Sequence, residues 1–179
     1  MADKLIAVGV YNAVCQDKYG NVLWEEEFDN LLTQVGKAFL LDQALSGSAY
    51  TAAEYMGLIS STSFSAISGG DTMASHAGWL EAGSANAPTY SGTRATVGWN
   101  ASTLSGASAY SATKSLSAAL TFTFTGSGTV EGAFIVGGSG ASATIGNTGG
   151  TLYSAGALAT PQPVIATNTI TLTYSTTLT

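Results

Sequence analysis

The stretch Ser68–Glu81, SGGDTMASHAGWLE, holds the chain's single histidine, His76, next to Ser75 and between two carboxylates, Asp71 and Glu81. Serine, imidazole and carboxylate are the parts of an acyl-transfer centre, in which a base takes the serine proton and a carboxylate orients the base. The spacing speaks against that use. Adjacent residues in extended backbone send their side chains to opposite sides, and no G-x-S-x-G elbow occurs in the chain. Gly69, Gly70, Asp71, Thr72 and Gly78 are turn chemistry. Trp79 is a large apolar group whose indole N–H needs an acceptor once buried. The expectation is a structural loop anchored by Asp71, His76, Trp79 and Glu81, with no catalytic residue and no enzyme activity.

Other chemistries fare no better. One histidine and one cysteine cannot supply the usual zinc ligand sets. The acids of EEEFD (Glu25 to Asp29) lack the alternating oxygen ligands of a calcium loop. GSGASA (Gly138 to Ala143) follows an apolar strand and fits a relaxed G-x-G-x-x-A pattern. No helical pattern comes after it and no acid stands about twenty residues on, so it reads as a glycine-rich loop. No cofactor and no metal are expected. Trp79, Trp99 and the tyrosines leave sugar stacking as a minor possibility on a β scaffold.

Charge narrows the partners. The net charge is −6, and charged residues make up 9% of the 179-residue chain, against roughly 25% in ordinary soluble domains. Phosphate-backbone binding needs clustered Lys and Arg, and there is no such cluster, so nucleic acid is not expected. No apolar run approaches the ~18 residues of a membrane span. The N-terminal MADKLIAVGVYNAV is broken by Asp3, Tyr11 and Asn12 and does not read as a signal peptide. From residue 82 onward only Arg94, Lys114 and Glu131 are charged. Such a surface packs against other chains with little charge to desolvate, which suits life in a large assembly. Cys15 reads as a small core residue.

The elements that must position these residues are mainly strands. Lys4 to Gln16 is rich in β formers, DKYGN (17–21) is a turn, and VLWEEEF (22–28) reads as the returning strand of a hairpin. Its glutamates place it at a sheet edge, with Trp24, Glu26 and Phe28 on one face and Leu23, Glu25 and Glu27 on the other. One helix is expected over about 30–46, capped by Asp29 or Asn30 and closed by Gly47. Its apolar face is Leu31, Val35, Ala38, Leu41 and Leu45, widened by Phe39 and Leu40 into burial on more than one side. Gly36 inside it hints at the close approach of another backbone. Further strands are read at 54–60, 93–101, 115–125, 129–138, 150–158 and 168–178. GSG (126–128) makes a hairpin of the 115–125 and 129–138 pair, and Pro161 and Pro163 mark a corner. Residues 61–92 read as loop. The sum is a single domain over 1–179, a two-sheet antiparallel β-sandwich of jelly-roll-like form with one helix.

The order of YGNVLWEEEFDNLL, VGKAFLLDQAL, YMGLIS, GDTMASHAGWLE, TRATVGWNAS, FTFTGSGTVEGAFIV and GTLYSAGAL, ending in a Thr-rich strand, resembles a family of small virion structural proteins. These are encoded beside the major capsid protein in tailed bacteriophages. The resemblance spans nearly the whole chain, with GDTMASHAGWLE and GTVEGAFIV…GTLYSAGAL its most specific pieces. Members often carry a Gly-Asp turn before the last strand, where this chain has TPQPVIATNTI. The resemblance implies a capsid cement (decoration) protein, made in the host cytoplasm. It would bind the major capsid protein in many copies on the outside of the virion shell; a homotrimer is expected because a closed symmetric unit matches three-fold sites. The alternative is a tail or tail-fibre component that meets the host surface, with glycans as candidate ligands.

Overall fold

The computed structural model describes residues 6–45, 53–105 and 111–179. Among them are twelve strands and one helix. The first strand, β1 (Ala7–Gln16), turns through Asp17–Asn21 into β2 (Val22–Asp29). Asp17 accepts from the backbone N–H groups of Tyr19 and Asn21 and from the Asn21 side chain, while Gly20 takes a left-handed φ of 85°, as the turn chemistry predicts. The last strand, β12 (Thr169–Leu178), pairs with β1 along its whole length, from Ala7 opposite Leu178 to Gln16 opposite Thr169. Strands β7 (Thr103–Ser105), β8 (Ser111–Ser115) and β9 (Leu120–Thr123) complete sheet A, in the order β2-β1-β12-β8-β7 with β9 also on β12. The expected edge position of β2 is the one observed. Phe28 on its inner face is buried, and the outward Leu23, Glu25 and Glu27 are exposed.

Sheet B runs β3 (Leu31–Leu32), β11 (Thr151–Val164), β10 (Gly128–Gly137), β4 (Glu54–Ser60) and β5 (Leu80–Glu81), with β6 (Ala95–Val97) on β4. The two inner faces meet in one apolar core. Tyr11 stacks on Phe28 at 5.1 Å between ring centres and lies 4.6 Å from Tyr174, and Ile170, Leu172 and Tyr174 face inward as their alternation requires. Strand β10 is buried on both faces from Val130 onward, which its unbroken apolar run AFIV anticipates. Ala133 and Ile135 point between the sheets. Phe134 and Val136 point outward into a second cluster with Ile59, Met73, Trp79, Leu152 and Ala155. The loop of residues 61–79 therefore forms a third layer over sheet B. The result is mainly β, with two antiparallel sheets and one helix.

Several local expectations need correction. The helix α1 is Gln34–Leu45, and its cap is Thr33, not Asp29 or Asn30. Thr33 Oγ1 accepts from Gly36 N–H at 2.9 Å and donates to Leu152 C=O. Asn30 is committed elsewhere: its side chain accepts from Gly9 N–H and donates to Tyr174 OH, each at 2.8 Å. Leu31 is a strand residue, paired with Ala155. The helix buries one side only, through Gly36, Phe39 and Leu40, while Leu41 and Leu45 are 54% and 81% exposed. The expected closing residue, Gly47, lies outside the described residues. The reading of Gly36 holds, since a Cβ there would overlap Tyr153 C=O on β11.

Residues 126–128 do not turn a hairpin. β9 pairs with β12 and β10 pairs with β11 and β4, so these glycines carry the chain from sheet A to sheet B. The strand read over 115–125 shortens to β9, since β8 ends at Ser115, and the one read over 93–101 shrinks to three residues. Pro161 and Pro163 lie inside β11, not at a corner. They sit where β11 has β10 on one side and no described strand on the other, so a missing N–H costs no ladder bond. Beside them, residues 158–161 bulge opposite Glu131, between the pairs Val130–Gln162 and Gly132–Ala157.

Candidate functional site

The loop that carries His76 is built around Trp79. Its indole is fully buried against Phe134, 5.3 Å between ring centres. Burial of the ring requires an acceptor for its N–H, and Asp71 Oδ2 supplies it at 2.9 Å. The same oxygen accepts from Ser68 N–H at 2.9 Å, and Asp71 N–H returns a bond to Ser68 C=O. His76 stacks on the other side of the indole, 3.9 Å away and tilted by 19°, with its Nδ1 2.9 Å from Trp79 C=O. Thr72 and Ser75 close a small turn on each other, Thr72 N–H to Ser75 C=O and Ser75 N–H back to Thr72. A Cβ at Gly78 would overlap Ala66 C=O, so the crossing of the loop on itself needs glycine there.

Asp71, His76 and Trp79 thus form one cluster. Glu81, the fourth predicted residue, belongs to a different one. It lies on β5 and is held by Arg94 in a two-pronged ion pair, Nε to Oε1 and a terminal nitrogen to Oε2, both 2.8 Å. Arg94 also donates to the carbonyls of Ser142 and Asn147, and Gly146 N–H donates to Glu81 Oε2 at 2.7 Å. The guanidinium lies 5.4 Å from the Phe134 ring, on which Trp79 also packs. Arg94 is 1% exposed. It was not among the predicted residues, although a signal existed: it is the lone cation between Lys37 and Lys114. A charge kept in so neutral a segment is worth reading as paired and buried.

Chemically, the arrangement holds shape. Among the described residues His76 bonds to Trp79 C=O and to neither Ser75, Asp71 nor Glu81, so the parts of a triad are near in sequence but not assembled. No group of three or more metal-ligating side chains occurs among the described residues. A second feature is a cavity of about 370 Å³ under α1, lined by Phe39, Leu40, Glu54, Trp99 and Tyr153 among others. Trp99 donates its indole N–H to Glu54 at 2.7 Å there and meets Tyr174 edge-on at 5.9 Å. Comparison with protein-family models, with curated proteins and with solved structures finds no match.

Proposed function

We propose that this protein is a bacteriophage capsid cement protein that binds the outside of the shell in many copies and stabilises it. The observation that carries the reading is the emptiness of its surface charge. Of the three charged residues after position 81, Arg94 and Glu131 are buried, so that half of the molecule meets its surroundings with a single ammonium, Lys114. Hydroxyl and amide surface joins a symmetric assembly at little desolvation cost. Binding the assembled shell but not free or unfolded subunits then shifts the equilibrium toward the shell. In this proposal the partner is the major capsid protein, the protein acts as a homotrimer over three-fold positions, and His76 has no catalytic task. The sandwich is read as jelly-roll-like. The chain's crossings between sheets, at 124–128 and 164–169, support that form. So does the tie from the edge strand β2 to the far end of β11, where Glu26 accepts from Ala159 N–H and from the Gln162 side chain.

The tail or tail-fibre reading keeps one observation in its favour: the aromatic cavity of Phe39, Trp99 and Tyr153 has the size and lining of a small-ligand site, and glycans stack on such rings. Co-sedimentation separates the two. Purified protein is mixed with expanded shells that lack it, pelleted and counted. Hundreds of copies per shell, with the shells surviving more heat, is the expected result. A handful of copies, or none, moves the weight to the tail.

A further inference from the structure

The two outer faces of the sandwich are unequal. Residues 61–79 cover sheet B, whereas no described segment covers sheet A. Down this face runs β1, whose outward residues include Val8 and the half-buried Val10 and Val14, with Ile6 directly before it. Ile6 and Val8 are 45% and 47% exposed. At ~3.4 Å per residue the stripe is roughly 27 Å long. Its two borders differ in chemistry. On the β12 side, Thr177, Ser175 and Thr171 stand beside Val8, Val10 and Val14. On the β2 side, Asp29, Glu27 and Glu25 stand beside Val10, Asn12 and Val14, all three exposed. The ion pair found among the described residues is Arg94–Glu81; no described cation answers the three carboxylates. Guarding an edge strand explains charge on β2, but not an apolar stripe laid alongside it.

The composition limits what fits. A second copy brings five cations. Of these, Arg94 is buried on Glu81, Lys114 donates to Asn100 C=O at 3.1 Å, and Lys4 lies outside the described residues. Lys18 stands on a turn and Lys37 on the helix, so the described cations of a second copy form no row to face Glu25, Glu27 and Asp29. Nucleic acid and anionic lipid would be repelled. We propose that the outer face of sheet A docks on a protein whose surface carries an apolar ridge flanked by Lys or Arg. Placing that ridge on the shell subunit rests on the decoration reading; the chemistry of the face does not.

The test uses two probes, empty expanded shells and a synthetic helical peptide with a leucine ridge bordered by lysines. Three proteins are compared, wild type, the triple variant E25Q/E27Q/D29Q, and Val8→Ser with Val10→Ser, each checked for native circular dichroism. Binding of wild type to shells, weakened about tenfold by the triple variant and by about 0.5 M salt, and weakened also by the serine variant, is expected. Undiminished shell binding by both variants overturns the docking face and leaves the decoration reading standing. If wild type ignores shells, the decoration reading falls and the peptide decides. Peptide binding lost in the triple variant upholds the face, and binding equal in all three proteins, or absent, overturns it. Concentration-dependent dimers abolished by the serine variant would assign the face to a second copy and equally overturn the proposal.

Discussion

Glu131 lies on β10 opposite the bulge of β11, 5% exposed, and burial raises its carboxyl above the ordinary range. The folded protein therefore holds that proton more tightly than the unfolded chain does. Stability from this group is present at low pH and is lost as pH rises through the carboxylate range toward the raised value. Glu131→Gln, which keeps the shape and removes the charge, should raise the melting temperature at pH 7. The gain should vanish near about pH 4, where the wild-type carboxyl is itself neutral. Thermal melts of both proteins across that range measure it, and a gain independent of pH would contradict the assignment. Cys15 is the small core residue expected: it is fully buried, and burial pushes its thiol up to about 11.

At the scale of elements, α1 is fastened to β11 by Thr33 and Gly36. Gly36→Ala sets a methyl against Tyr153 C=O, so the usual gain of about 1 kcal/mol for alanine in a helix should reverse into a loss of about 1–3 kcal/mol. Thr33→Val removes the cap and its bond to Leu152, at about 1–2 kcal/mol. Urea unfolding of the two variants checks both signs. These elements also show what could be read without coordinates. The long strands β1, β2 and β12 of sheet A were legible because alternation is local, and Ile170, Leu172 and Tyr174 declare one face by themselves; the short polar strands β7 and β8 carry no such pattern and were not. The start of α1 was not, since Asn30 and Thr33 are both good caps and the choice between them is made by Tyr174 and Leu152, more than a hundred residues away. The false hairpin at 126–128 has the same origin. Two alternating segments joined by glycines look like a hairpin whether they pair with each other or, as here, each pairs elsewhere.

At the scale of the whole molecule, Arg94 and Glu81 gather four distant pieces of chain: β5, the residue before β6, and the loop carbonyls and amide of Ser142, Gly146 and Asn147, above the ring of Phe134 on β10. Breaking a buried pair from one side strands the other charge, at about 3–5 kcal/mol. Arg94→Met should cost that much and should lower the whole unfolding transition, since the pair belongs to no single element. Arg94→Met with Glu81→Gln should recover part of the loss. Denaturation followed by both tryptophan fluorescence and circular dichroism tests this; a loss seen by one probe alone would mean that the loop melts separately. The aromatic cluster around Trp79 was legible from its residue types, whereas Arg94 needed the fold to bring it to Glu81.

The third layer has a further consequence. Residues 61–79 are bonded largely within themselves, Ser65 to Gly78, Asp71 to Ser68, Thr72 to Ser75, and meet sheet B through side chains such as Trp79 and Met73 instead of through a strand ladder. The exposed turns of this cover can be lengthened or re-coloured without shifting any strand's register, while Met73, Gly78 and Trp79 stay fixed by what they pack against. Drift and engineered inserts are thus tolerated on one side of the molecule and penalised on the other, so the two faces would age at different rates.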